Sequence, residues 1–217
     1  LVDDSGAVEI IKVPTTPAHP AEGFMTALDR ALDGLDISSE AIRLLVHATT
    51  VATNALIEGK TARLGMITTE GFRDIMEIGR QIRSHLYDVH LTKPRPLVSR
   101  RWSFGIPERL DAKGEVLKPL DEAAVREAAR ELKKEGVEVV VCCLLHSYLN
   151  PSHEHRVADI VREEYPEAFL SVSADVCPEF REYIRASTTA VNGAVMPLVS
   201  NYLSALETEV KSRGIVS

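Results

Sequence analysis

Apolar runs that alternate with amphipathic segments predict an α/β fold. Residues 137–145 form a nearly continuous apolar run rich in valine, which is typical of a strand buried on both faces of a sheet. The preceding segment, residues 121–135, has Ala128 and Leu132 at helical spacing and is followed by Gly136, a helix stop. Because strands and helices alternate in this way, we expect a mixed sheet with helices on both faces and residues 137–145 as a central strand.

The remaining pattern assigns most of the chain to further elements of one domain over residues 1–217. Residues 81–102 lack a period and are predicted to be a long excursion of the kind that often binds ligands. The other predicted elements are a returning strand at 7–13 behind a turn at 3–6, a helix at 21–35, a strand at 43–47, a helix at 50–58, a strand at 63–68 with a helix to Gly79, a hairpin over 106–117, a helix at 150–165, a strand at 169–173 and a helix at 178–214 with a candidate break at Pro197.

Composition narrows the classes of function. The chain has 32 acidic and 25 basic residues and a net charge of -7, whereas nucleic-acid binding requires clustered lysine and arginine. No run approaches the ~20 apolar residues that cross a bilayer. We therefore expect neither a nucleic acid nor a membrane as partner. The adjacent Cys142 and Cys143 are predicted to be buried, and three cysteines without a disulfide framework fit a cytoplasmic protein.

One polar cluster lies where a predicted strand leads into a helix, and a second lies on the predicted C-terminal helix. One is residues 47–54, HATTVATN, and the other is Ser187, Thr188 and Thr189 with Asn192. Free backbone N–H groups at a helix start favour an anion or a polar ligand. Helix capping and back-bonding by the same side chains account for both clusters as well.

Single residues near predicted strand ends are further candidates. His146 directly follows the predicted central strand, where α/β sheets bind ligands, or it is a satisfied interior histidine. Arg80 lines a substrate entrance or lies in a solvated loop. His153 and His155 are two residues apart and face different sides of a helix, so we predict the surface start of a helix there and no joint metal site.

Four segments together resemble hydantoinase A and 5-oxoprolinase proteins. Residues 47–56 resemble the family's H-G-T-T-V-A-T-N-A-L, and residues 68–81 resemble T-T-x-G-F-R-D followed by E-I-G-R-Q. Residues 144–154 are similar to L-L-x-S-Y-x-N-P-x-H-E, and residues 178–192 to P-E-x-R-E-Y-x-R-x-S-T-T-x-x-N. The resemblance covers nearly the whole chain and is specific for the family, but it does not choose a substrate.

The resemblance implies a partial actin-like, Hsp70-like ATPase domain of the ribonuclease H-like type. It implies an ATP-dependent hydrolase of cyclic amides, of the hydantoin or 5-oxoproline type, that uses ATP and Mg²⁺ to activate the amide carbonyl by phosphorylation. One alternative is a subunit of an acetone- or acetophenone-type carboxylase, and another is a non-catalytic scaffold or interaction module. A hydantoinase B-type subunit or domain is the implied partner, and a homo-oligomer is open.

We predict that seven of the candidate residues converge on one cleft of the complete protein, because each lies at a strand end or a helix start. They are Thr49, Thr50, Asn54, His146, Ser187, Thr188 and Asn192. The predicted catalytic residues are His146, Asn54 and Arg80, and the predicted substrate- or nucleotide-binding residues are Thr49, Thr50, Ser187, Thr188 and Asn192.

Two departures from the family pattern concern ATP. The family's D-x-G-G-T-F-T-D phosphate loop lies just before the point at which this chain begins, and Ala48 replaces a usual glycine. We therefore expect an N-terminal region without its first strand and phosphate loop, with no tightly bound ATP and no activity in isolation.

Overall fold

The structure, a computed structural model, describes residues 1–3, 5–16, 19–82, 87–90, 92 and 94–215. The chain forms two compact units. We call Thr53–Pro197 the sheet unit, and Leu1–Ala52 with Leu198–Ser217 the terminal unit. Within the described residues, no helix has the length and apolar character needed to cross a membrane. The single family domain over residues 1–217 stays a prediction.

A four-stranded sheet forms the centre of the sheet unit. Its strands are β1 (Leu64–Thr69), β2 (Val98–Ile106), β5 (Val139–Cys143) and β6 (Phe169–Val172), in the order β2-β1-β5-β6. All neighbouring pairs run parallel. Every residue of β5 is buried between β1 and β6, so the predicted central strand is confirmed.

Helices cover both faces of this sheet, as predicted. On one face α4 (Glu122–Lys134) and α5 (Ser152–Glu164) pack with Val140 and Cys142 of β5. On the other face Val139 and Val141 contact the first part of α7 (Glu182–Ser212) through small side chains. The closest approach of α7 is at Gly193, where an added Cβ would lie 3.1 Å from Val139 Cγ1. The α/β class is therefore confirmed.

Local sequence signals explain the start of α4 and the turn of the hairpin that follows β2. Asp121 precedes α4, and its carboxylate accepts a hydrogen bond from the Ala124 N–H at 3.0 Å. The antiparallel pairing expected of a mixed sheet occurs in a separate hairpin of β3 (Arg109–Leu110) and β4 (Val116–Lys118). In its turn the Asp111 carboxylate accepts two backbone N–H groups, and Gly114 adopts φ +84°.

Several predicted elements were wrong. Part of the predicted excursion at 81–102 belongs to β2, which the exposed Arg100 and Arg101 concealed from the apolar pattern. No strand forms at 43–47. The predicted strand at 7–13 is reduced to one bridge between Val2 and Val8. Helix α7 continues through Pro197 without a break. The predicted helix up to Gly79 is α3 (Ile75–Ile78), which is one turn long. Two other predicted helices form as α1 (Pro20–Leu35) and α2 (Val51–Glu58), and a short α6 (Ser173–Val176) follows β6.

The terminal unit is built from α1 and the C-terminal part of α7. Met25, Leu28 and Leu32 of α1 share a buried cluster with Tyr202 and Leu206 of α7. At the end of α7 the Arg213 guanidinium donates to both carboxylate oxygens of Asp29, at 2.8 and 3.0 Å. Apolar burial and a bidentate ion pair thus hold the two helices of this unit together.

Candidate functional site

The carboxyl ends of the parallel strands form one edge of the sheet unit. Thr69 ends β1, the loop of residues 144–150 follows β5, and Ser173 follows β6. In open α/β sheets ligands bind outside this edge. We refer to it as the carboxyl edge.

His146 lies in the loop after β5 with φ +57°, a left-handed conformation that is unfavourable for any residue with a Cβ. Its carbonyl accepts the N–H groups of Leu149 and Asn150, which closes a tight turn. The Nδ1 atom is buried and has no hydrogen-bond partner among the described residues. Tyr148 is the nearest aromatic ring, with centroids 6.2 Å apart. Among the described residues, Nδ1 therefore does not fit the alternative of a satisfied interior histidine.

Glu154 reaches from the first turn of α5 to the base of this loop. One carboxylate oxygen accepts the Leu144 N–H and the Ser173 hydroxyl, each at 2.7 Å, and the other accepts the Ala174 N–H at 2.7 Å. Glu154 has no exposed surface, and burial raises the pKa of its carboxyl while these hydrogen bonds oppose that rise.

Arg185 approaches the same point from the start of α7. Its guanidinium donates to the Leu144 carbonyl at 2.5 Å, to the Ser173 hydroxyl at 3.0 Å and to the Glu179 carbonyl at 2.9 Å. It also lies over the Tyr148 ring, 5.5 Å from the centroid. Only 1% of Arg185 is exposed. Two buried charged side chains therefore hold both polar groups of the Leu144 backbone.

A second buried polar chain crosses the same edge. The Thr69 hydroxyl accepts the Leu145 N–H at 2.9 Å and donates to the Glu108 carboxylate. The other Glu108 oxygen lies 2.9 Å from His153 Nδ1. The prediction of a surface helix start at His153 was wrong, because His153 and Glu154 are both buried. His155, by contrast, points outward to Asp175 at 3.0 Å, so the two histidines do face different sides.

One neighbouring segment contacts the loop that carries His146, and another contacts the start of α7. The Phe180 ring packs edge-on against Tyr148 with centroids 6.0 Å apart. A Cβ added to Gly79 would lie 3.6 Å from the ring of Tyr183 at the start of α7. Gln81 and Arg181 in these segments share the left-handed conformation of His146, with φ +57° and +80°. Among the described non-glycine residues of the sheet unit, these three alone have a positive φ.

The predicted site residues fall into two groups. Arg80 is exposed beside Gly79, and Ser187 and Thr188 lie on α7, so these three belong to the sheet unit together with His146. Asn192, one helix turn further on, donates from Nδ2 to the Ser171 hydroxyl at 3.0 Å, a contact that ties α7 to β6.

The remaining predicted residues belong to the first polar cluster. Asn54 is exposed on α2 in the sheet unit, whereas Thr49 and Thr50 belong to the terminal unit. The Thr49 hydroxyl accepts the Val51 N–H at 3.3 Å, as the capping alternative expects. His47 is hydrogen-bonded to Tyr202, and burial lowers its pKa. Convergence of the seven predicted residues on one cleft stays a prediction.

The sequence interpretation missed the buried partners of the site, Thr69, Glu108, Glu154 and Arg185. A signal was present for Arg185, since the small residues Ala186, Thr189, Ala190 and Gly193 mark the face on which α7 packs closely. The predicted burial of the cysteine pair is confirmed, and burial raises the pKa of Cys143 to about 11. The described residues hold no group of three or more His, Cys, Asp or Glu suited to a metal ion.

Comparison with known proteins places this chain in a family. Residues 1–165 match the model of the hydantoinase/oxoprolinase N-terminal region. An uncharacterized protein of Methanocaldococcus jannaschii is 40% identical and matches 94% of this chain and 30% of its own length. The acetophenone carboxylase gamma subunit of Aromatoleum aromaticum is 33% identical and matches 96% of this chain and 31% of its own length.

A solved structure supports the same relationship. The crystal structure of the ATP-dependent caprolactamase from Pseudomonas jessenii superposes with a TM-score of 0.87 at 32% identity, over 99% of this chain and 32% of that chain. The predicted ATPase-type α/β fold is confirmed by this likeness. The chain spans about a third of the length of the relatives that it matches.

Proposed function

We propose that this chain, which belongs to the hydantoinase/oxoprolinase N-terminal region family, is part of an ATP-dependent enzyme that hydrolyses a cyclic amide. The similarity to an ATP-dependent caprolactamase supports this substrate class, because a caprolactam is a cyclic amide. Such an amide resists water, since its nitrogen donates electrons into the carbonyl. ATP supplies a phosphoryl group that converts the carbonyl oxygen into a leaving group.

The observation that carries the proposal is the state of His146. Its buried Nδ1 atom makes no hydrogen bond within the described part of the chain, and its backbone has a left-handed conformation at the carboxyl edge. Strain of this kind is most often found at functional sites. We propose that His146 contacts the reacting amide and that Asn54 and Arg80, both in the sheet unit, are further catalytic residues.

The remaining predicted residues are proposed to bind substrate or nucleotide. They are Thr49, Thr50, Ser187, Thr188 and Asn192. The described residues offer neither a glycine-rich phosphate cradle nor a cluster of magnesium ligands. We therefore assign no phosphate or Mg²⁺ contact to these residues, and we propose a hydantoinase B-type subunit or domain as partner.

A ketone carboxylase is the second candidate function. The acetophenone carboxylase gamma subunit matches 96% of this chain, and the polar residues of the carboxyl edge are equally compatible with activation of a ketone oxygen. A purely structural module is disfavoured, because it has no need for an unpartnered histidine in a strained loop.

Activity of the complete protein that contains this chain, together with its partner subunit, tests the proposal. ADP release should depend on a cyclic amide such as 5-oxoproline, hydantoin or caprolactam and should accompany ring opening. Dependence on bicarbonate and acetone or acetophenone would instead identify a carboxylase. His146→Ala should lower kcat by roughly 100-fold or more, the scale of a lost acid-base or orienting group, whereas His155→Ala, at an exposed histidine, should not. Equal activity of the two variants would refute the proposed role of His146.

A further inference from the structure

We infer that Arg185 and Glu154 are positioning residues that hold the loop of His146 in its active conformation. The inference rests on the proposed function, because it assigns the two residues an effect on the reaction through His146. Neither residue is among those predicted from the sequence to act in the site.

The two side chains act on the same peptide segment from opposite directions. Glu154 accepts the Leu144 N–H, and Arg185 donates to the Leu144 carbonyl. They are also connected to each other through the Ser173 hydroxyl, which accepts from Arg185 and donates to Glu154. Leu144 is therefore fixed at both its backbone groups by charge-assisted hydrogen bonds, which are stronger than neutral ones.

The hydrogen bonds continue along the loop to His146. The Leu145 N–H donates to the Thr69 hydroxyl at 2.9 Å, and the Ser147 hydroxyl donates back to the Leu144 carbonyl at 3.1 Å. His146 lies between these two anchored residues. A change at Arg185 or Glu154 is thus transmitted to His146 through two peptide units rather than through a flexible side chain.

Stability alone does not explain these charges. Desolvating an ion is expensive, and apolar side chains of similar volume often stabilise a protein as well as a buried ion pair does. The loop they hold is strained, so without such anchors it would relax to a more common backbone conformation. Anchors that keep a strained loop in place are expected where the position of one side chain matters to within about an ångström.

The test uses conservative variants of the complete protein with its partner subunit. Arg185→Lys retains the charge but loses the planar fork that reaches both Leu144 and Ser173. We expect roughly a 10- to 100-fold loss in kcat, the usual effect of a misplacement of about 1 Å, with KM changed less than about three-fold. Arg156→Lys, at an exposed ion pair with Glu122, is the matched control and should leave kcat unchanged. Glu154→Gln and its exposed control Glu163→Gln form a second pair.

A double mutant separates positioning from an independent contribution. If Arg185 acts only through His146, Arg185→Lys should cause no further loss of kcat in a His146→Ala background. If the losses in kcat of the two single variants multiply in the double mutant, the inference is overturned. Hydrogen exchange supplies a readout that needs no activity: peptides covering 144–150 should exchange at least about ten-fold faster in Arg185→Lys, while α4 stays protected.

The exchange result also distinguishes failure of this inference from failure of the proposed function. A complete protein without amide hydrolase or carboxylase activity would refute the proposed function, whereas unchanged exchange at 144–150 in both Arg185→Lys and Glu154→Gln would refute the positioning role alone.

Discussion

Replacement of His146 by glycine should stabilise the folded chain while it abolishes the proposed activity. Glycine adopts φ +57° without steric cost, so the variant relieves about 1–2 kcal/mol of left-handed strain. It also removes the buried Nδ1 atom that has no partner among the described residues, a group whose burial costs about 1–3 kcal/mol.

Two opposing effects reduce this gain. Loss of the ring contact with Tyr148 costs about 0.5–1.5 kcal/mol, and the greater freedom of glycine in the unfolded chain costs about 0.5–1 kcal/mol. The net expectation for His146→Gly is therefore a rise in the free energy of unfolding of about 1–2 kcal/mol.

Urea denaturation of the 217-residue chain measures this difference, provided that the slope with denaturant stays the same. Gln81→Gly is the matched control, because Gln81 has the same φ of +57° but an exposed side chain. The free energy of unfolding of Gln81→Gly should rise only by the relief of strain, about 0.5–1 kcal/mol after the entropic cost of glycine. A loss of stability in His146→Gly greater than about 1 kcal/mol would refute the reasoning, since it would mean that the imidazole stabilises the fold.

Four further predictions follow from other parts of the chain. An alanine at Gly65 would place Cβ 2.3 Å from Leu132 Cδ2, so Gly65→Ala should cost about 1–3 kcal/mol in denaturation experiments; if the cost in a Leu132→Ala background is the same, the steric cause is wrong. Because burial raises the pKa of Cys143 to about 11, mass spectrometry after iodoacetamide treatment of the native chain at pH 8 should find Cys177 modified and Cys143 intact; early labelling of Cys143 would contradict its burial. Burial raises the pKa of Glu154 above the usual 4.5, so its contribution to stability is full below pH 4.5 and declines as the pH rises through the folded-state pKa; Glu154→Gln should lessen that decline in a pH series, and identical slopes would speak against it. Calorimetric titration of the 217-residue chain with Mg-ATP should give weak or no binding, because the described residues offer no glycine-rich turn to supply charge-assisted hydrogen bonds of about 1.5–3 kcal/mol each to phosphate; a low-micromolar Kd would contradict this expectation.

The sequence predicts best those elements in which burial alone determines the order of apolar and polar residues. Strand β5 is buried on every side, so its residues are apolar without interruption. Helix α4 has one apolar face, an acidic residue at its start and Gly136 in a left-handed conformation just after it. Strand β2 was missed because it lies at the edge of the sheet, where Arg100 and Arg101 are exposed and only pairing with β1 makes the segment a strand.

The candidate site was predictable only in part, for a related reason. His146 could be found because the end of a buried strand is a recognisable place for a ligand. The sequence gives no direct sign that Glu154 is buried, since a glutamate in the first turn of a helix is most often solvated. Its burial depends on the strand ends and on Arg185, which is 31 residues away in the chain, so it follows from tertiary structure alone.

Buried charges and backbone strain, which are energetically unfavourable, lie together at the carboxyl edge, and this position is an argument for function. Burial of Glu154 and Arg185 requires the loss of their hydration, which hydrogen bonds to Leu144 and Ser173 offset. The left-handed conformation of His146 adds strain at the same edge. Elsewhere in the sheet unit, ion pairs such as Arg156 with Glu122 lie on the exposed helix surfaces and contribute little individually. A sheet that needed only to be stable could place apolar residues at its carboxyl edge as it does between β5 and α4. Because two buried charges and a left-handed residue meet at the loop of His146, whose buried Nδ1 has no hydrogen-bond partner in the described part of the chain, the requirement they satisfy is the position of that histidine.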